Sequence, residues 1–154
     1  MDAKFINPVL SAVVNILQTM AQIEAQPGKP EVKPDNLSRG VISGFIDLAS
    51  SDTRVSVAVT FTQAAILDIG SRMMHMELKE VDDIIKDLVG EMANMVAGGA
   101  KANLQEAGYD FNLTLPSVVV GEGHPIQHSV EGVTLILPFT IEAGEFYVEV
   151  CAPA

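Results

Sequence analysis

Glu91 and Asn94 are the residues of this 154-residue chain whose types and spacing best fit chemistry. An amide does not titrate, so Asn94 cannot serve as a base. It can, however, accept one hydrogen bond and donate another, which is what holding a water molecule requires. Glu91 can pair with a cation on another molecule. Phosphoryl transfer suits such modest help, because positioning and electrostatics supply nearly all of its catalysis. The two residues lie in Asp87-Leu-Val-Gly-Glu91-Met-Ala-Asn94-Met-Val-Ala-Gly98-Gly99-Ala-Lys101. At ~100° per residue, Glu80, Asp83, Asp87, Glu91, Asn94, Gly98 and Lys101 fall within roughly 40° of one line along a helix. Leu78, Val81, Ile85, Leu88, Val89, Met92, Val96 and Gly99 take the opposite side, as a core-facing stripe does. Gly90, Gly98 and Gly99 each cost about 1 kcal/mol relative to alanine in a helix interior. Their presence points to close approach of something to this helix.

Other catalytic apparatus is missing from the sequence. It contains no Walker loop, G-x-S-x-G elbow or H-E-x-x-H motif. His124 and His128, with Glu122, are scattered around a proline-containing turn and fit metal-ligand spacing poorly, so no metal site is expected. His75, among Met73, Met74 and Met76, reads as packing between helices. The acidic residues Glu80, Asp83 and Asp87 read as a solvated face.

A net charge of −11 argues against nucleic acid or an anionic membrane as partner, since both need clustered Lys or Arg. Apolar residues make up 48% of the chain and mean hydropathy is +0.30, so strands buried on at least one face are expected. Tryptophan is absent and aromatics are 5%, which leaves an aliphatic core with methionine as filler. The single Cys151 excludes an internal disulfide, suits a reducing compartment and reads as a small buried hydrophobe. No apolar run approaches the roughly 18–20 residues of a membrane span, and the opening segment is amphipathic, unlike a signal peptide. The expected location is cytoplasmic.

The elements that must position Glu91 and Asn94 follow from periodicity. A helix is expected from Ala3 to Gln22, with Pro8 in its first turn or two. Pro27, Gly28, Pro30 and Pro34 allow only an edge strand or loop. Val41–Leu48 and Val55–Phe61 read as strands around the turn Ser50-Ser51-Asp52, the second half-buried because Val55, Val57, Val59 and Phe61 alternate with Ser56, Ala58 and Thr60. A short helix, Gln63–Met74, is expected behind a Thr62 cap, and a long one over Leu78–Glu106, ending at Gly108. Leu113–Val120, Val133–Ile141 and Phe146–Cys151 complete the strands, with Gly144 at a tight hairpin. This segregation predicts one α+β domain spanning 1–154, with helices on one face of a largely antiparallel sheet. A faint repeat relates Ala3–Phe61 to Leu78–Cys151. In it, Ser11-x3-Asn15-x2-Gln18 has the spacing of Asp87-x3-Glu91-x2-Asn94 without its glutamate or asparagine.

Asp87-x3-Glu91-x2-Asn94, followed by Pro116, resembles the [D/S]-x3-E-x2-N…P signature of the CheC/CheX/FliY chemotaxis phosphatases. The runs GEMANMVAGGAK at 90–101 and LPSVVVGEGH at 115–124 are most similar to the CheX branch, and the likeness extends to the opening KFINPVLSAVVNILQTM. The spacing from Asn94 to Pro116 is slightly shorter than is usual in the family. The resemblance implies hydrolysis of the aspartyl-phosphate of a CheY-type receiver domain. Asn94 would orient the attacking water, and Glu91 would dock to a receiver lysine. Asp87, Gly98, Lys101 and Pro116 would meet the partner, with Gly98 leaving room for its loops and Gly99 packing inward on the sheet. No cofactor would reside in this chain; Mg²⁺ is expected on the phosphorylated partner. A homodimer formed by sheet pairing is also implied, one site per chain, and the apolar alternation of Val133, Leu135, Leu137 and Phe139 with Ile136 fits a strand edge needing cover. A non-catalytic adapter, as in flagellar-switch relatives, is the rival reading; the intact Glu91/Asn94 pair favours the enzyme.

Overall fold

The computed structural model describes residues 3–153. Helix α1 (Ala3–Ala21) is followed by two short strands, β1 (Gln26–Pro27) and β2 (Glu31–Val32), and the hairpin β3 (Ile42–Ala49) and β4 (Arg54–Phe61). Helices α2 (Gln63–Met74) and α3 (Asp83–Glu106) come next. Short strands β5 (Asn112–Leu113) and β6 (Ser117–Val120) then lead into a second hairpin, β7 (Val133–Ile141) and β8 (Gly144–Ala152). The eight strands form one sheet in which every pairing is antiparallel. The fold is the α+β arrangement expected.

The internal repeat extends to hydrogen-bond register. Ile42 faces Phe61 in the first hairpin as Val133 faces Ala152 in the second. β1 and β2 edge β7 as β5 and β6 edge β3: Gln26 opposes Thr140 as Asn112 opposes Ala49, and Glu31 opposes Ile136 as Ser117 opposes Phe45. The hairpins join through β4 and β8, and the pseudo-twofold axis passes through the pair Ala58 and Glu149.

One face of the sheet meets the helices. Ile42, Ile46, Leu48, Val57, Val59, Phe61, Phe146, Val148 and Val150 join inward residues of all three helices in one buried cluster. The other face was expected to be open along Ser56, Ala58 and Thr60, but all three are buried. Chain from 33–40 and 121–132 covers it, and its polar groups are satisfied across the gap. Thr60 and Ser43 hydroxyls lie 2.6 Å apart, Ser43 Oγ is 2.7 Å from His124 Nε2, and His124 Nδ1 donates to the Gly121 carbonyl at 2.6 Å. Lys33 Nζ meets Glu149 Oε2 at 2.7 Å, both side chains buried, and His128 bridges Glu149 Oε1 (3.0 Å) to Ser56 Oγ (2.8 Å). A buried charge is tolerable only when paired and hydrogen-bonded in this way.

Several boundaries differ from expectation. α3 begins at Asp83, because Asp82 caps it: its carboxylate accepts from the N–H groups of Ile84 (3.1 Å) and Ile85 (3.3 Å). Leu78 precedes the helix, buried, its N–H donating to Ser71 Oγ at 2.9 Å, so Glu80 is not on the helical line. Thr62 stands at the start of α2 but does not cap it with its side chain; its hydroxyl donates to the Glu145 carbonyl at 2.6 Å. His75 is no packing residue. It ends α2 in a left-handed conformation (φ 54°), with its side chain exposed. The expected strand Leu113–Val120 is broken at Thr114–Pro116. Finally, β7 is not an open edge, since β1 and β2 pair along its outer side, and the strand-edge argument for a dimer at β7 fails.

Candidate functional site

Two close contacts set the position of α3. On the sheet side, a Cβ on Gly44 of β3 would stand 2.9 Å from the Val89 carbonyl oxygen and 3.1 Å from Ala93 Cβ. On the other side, a Cβ on Gly99 would stand 2.9 Å from Ala12 Cβ of α1. Gly99 does face inward, but it receives α1; close approach to the sheet comes from Gly44. Between these contacts Ile85, Leu88, Val89, Met92, Ala93, Val96, Ala97, Ala100 and Leu104 are buried, which aims the polar line of the helix at solvent.

Asp87, Glu91, Asn94 and Pro116 line one shallow groove of about 440 Å³ between α3 and the sheet edge, with Lys86, Gly90, Leu115 and Val118. Gly90 forms the narrow point, where an added Cβ would lie 3.4 Å from Val118 Cγ2. Asp87 and Glu91 are exposed and Asn94 is half-buried; none of the three side chains has a hydrogen-bond or ion-pair partner among the described residues. Glu91 and Asn94 are separated by about 4.5 Å along the helix axis, so one incoming surface can meet both. An unpaired carboxylate beside an unpaired amide can bind a cation and orient a water in the same encounter.

Gly98 and Lys101 share the exposed line but do not line the groove. Both are partly exposed one and two turns further on, and a Cβ on Gly98 would meet nothing within 4 Å. Lys86, Leu115 and Val118 were not singled out from sequence. Lys86 adjoins Asp87 and Leu115 adjoins Pro116, and that adjacency was the available signal. The counterpart positions Ser11, Asn15 and Gln18 on α1 line a groove with Leu10, Val14 and Glu24. No amide–carboxylate pair with the spacing of Glu91 and Asn94 occurs there.

Two other clusters have chemically suggestive members. His124 and His128 do not share a site: each is committed to different partners on the covered sheet face. Ser56, His128 and Glu149 have the residue types of a nucleophilic relay. Glu149, however, is already paired with Lys33, and Ser56 lies in a central strand with 3% of its surface exposed. Both clusters bind the covering loops to the sheet. Cys151 is buried, its thiol donating to the Val130 carbonyl at 3.3 Å. No helix among the described residues is long and apolar enough to cross a membrane.

Comparison with known proteins bears on this groove. The chain is 42% identical to a CheC-like superfamily protein from Shewanella sp. PV-4, with full coverage of both chains and a TM-score of 0.93. It is 25% identical to the crystallised CheX–CheY–BeF3–Mg²⁺ complex from Borrelia burgdorferi, covering 97% of this chain and 98% of that one at a TM-score of 0.83. The CheY-P phosphatase CheX of Thermotoga maritima is 29% identical over 94% of this chain and 92% of its own. Residues 42–140, which include the whole of the groove, match the family model of the chemotaxis phosphatase CheX, and the chain belongs to that family.

Proposed function

We propose that this chain hydrolyses the aspartyl-phosphate of a CheY-type receiver domain at the groove of Asp87, Glu91, Asn94 and Pro116. The observation that carries this reading is the unpaired Glu91/Asn94 couple, held on a clamped helix and open to solvent. α3 enters the receiver's active site as a wedge. Glu91 forms an ion pair with a receiver lysine and fixes the register of entry. The Asn94 amide then accepts from and donates to one water, aligning it with the phosphorus atom. Attack forms the new P–O bond as the bond to the aspartate oxygen breaks, releasing inorganic phosphate and the free carboxylate. The phosphoryl group, the lysine and Mg²⁺ belong to the receiver; this chain supplies the water's position. Asp87 and Pro116 bound the contact, and Gly98 and Lys101 extend it along the helix.

A homodimer with one such groove per chain belongs to the same proposal. The sheet edge left to support it is the far end of β6, where Val120 is exposed and lies outside the groove. Light scattering at micromolar concentration tests this: twice the monomer mass is expected, and a stable, fully active monomer would remove it.

The central test is phosphate release from a phosphorylated receiver with this chain and with its Asn94→Ala variant. Loss of turnover with receiver binding retained is expected. Near-normal activity of Asn94→Ala at saturating substrate would refute the water-orienting role.

A further inference from the structure

We infer that Leu115 is the apolar anchor that seats the receiver domain against α3, an inference that rests on the function proposed above. Leu115 is 92% exposed, more than any other large apolar side chain among the described residues. It lines the groove of Glu91 and Asn94 on the side opposite the helix. It also lines the cavity on the other face of the sheet, with Phe45, Val119 and Pro125, so it crowns a ridge at the sheet edge.

The backbone holds that ridge in place. β5 and β6 both pair with β3, and between them Thr114 is fastened to Asp47: its N–H donates to the Asp47 carbonyl at 3.0 Å and its hydroxyl accepts the Asp47 N–H at 2.9 Å. Pro116 fixes φ on the other side. Leu115 is the residue left projecting between these two restraints. With its backbone already fixed, seating Leu115 costs only side-chain freedom, so much of the transfer free energy of the leucine reaches the affinity. The receiver is the occupant chosen because Leu115 is continuous with the groove holding the catalytic pair. Val120, the exposed apolar residue at the far end of β6, lines neither this groove nor that cavity and lies roughly 16 Å further along the strand, where a second copy of this chain would pair.

The experiment compares wild type with Leu115→Ser in steady-state dephosphorylation of the receiver, in binding to the BeF3-loaded receiver, and in mass by light scattering. Burial of one leucine predicts a rise of about tenfold or more in KM and in Kd, with kcat and mass unchanged. Leu115→Met, which keeps an apolar side chain of similar volume, should restore most of the affinity. Unchanged KM and Kd overturn the inference, as does a fall in kcat alone. Conversion to monomer with KM and Kd unchanged assigns the ridge to contact between copies and overturns it as well. Wild type that binds the receiver without releasing phosphate would sink the proposed chemistry, while the binding comparison would still decide the anchor.

Discussion

Gly98 and Gly99 are neighbours on one helix, and the same substitution should stabilise the protein at the first and not at the second. Alanine at either position gains about 1 kcal/mol of helix propensity. At Gly98 the new methyl group meets nothing within 4 Å, so the gain stands alone. For a chain of this length, that is an increase of about 2–4 °C in Tm. At Gly99 the methyl would stand 2.9 Å from Ala12 Cβ, with Ala12 Cα at 3.6 Å behind it. The obstacle has no flexible end to swing aside, so α1 itself must shift. Overpacking of this kind costs about 1–3 kcal/mol, which cancels or exceeds the propensity gain. Thermal melts of the two variants should therefore move apart: Gly98→Ala above wild type, Gly99→Ala level with it or below. Phosphatase assays add a second axis. If receiver loops pass over Gly98, its alanine variant should be more stable yet bind the receiver less tightly. A Gly99→Ala protein as stabilised as Gly98→Ala would refute the clamping of α3 by α1.

Glu91→Ala should raise KM for the phosphorylated receiver as well as lower turnover, and steady-state kinetics that show a pure kcat effect would remove its docking role. Lys33→Met leaves the Glu149 carboxylate buried without its principal cation, a change that costs about 3–5 kcal/mol and should lower the urea midpoint; an unchanged midpoint would contradict the pair. Tyr147 donates to Glu145 Oε2 at 2.5 Å, and burial together with that carboxylate pushes the phenol up to about 12. Because the folded value lies above the unfolded one, the stabilisation is complete below about pH 10, the unfolded value, and fades as pH rises through the folded value. Phenolate absorbance should show Tyr147 still protonated at about pH 11, and loss of that late titration in Tyr147→Phe checks the assignment.

The long helix and its polar line were legible because Asp87, Glu91 and Asn94 repeat at helical spacing against an unbroken apolar stripe. Its start was not legible, since Leu78 and Val81 continue that stripe in a loop, and only the Asp82 cap marks the true boundary. Pro116 could be placed across from Asn94 only through family likeness; nothing local reveals that β6 folds back beside α3. β7 read as an exposed edge because β1 and β2 are two-residue strands, too short for periodicity to register. Ser56 and Thr60 read as solvated for a related reason. Their cover comes from Lys33, His124 and His128, remote in sequence, and it satisfies hydrogen bonds, which an apolar pattern cannot announce.

The clamping of α3 between Gly44 and Gly99 has a kinetic corollary. If α3 meets the receiver as proposed, a rod gripped on both sides has little room to adjust to its visitor, and the entropy of forming the reactive geometry would be drawn mainly from the receiver's loops. This chain would then behave as a fixed template, and differences in turnover among receivers would measure how readily each of them reshapes. Swapping receivers should change the activation entropy far more than swapping surface residues on α3 does. In such a pair the phosphatase sets the geometry, and the lifetime of the signal is written in the flexibility of the protein that carries it.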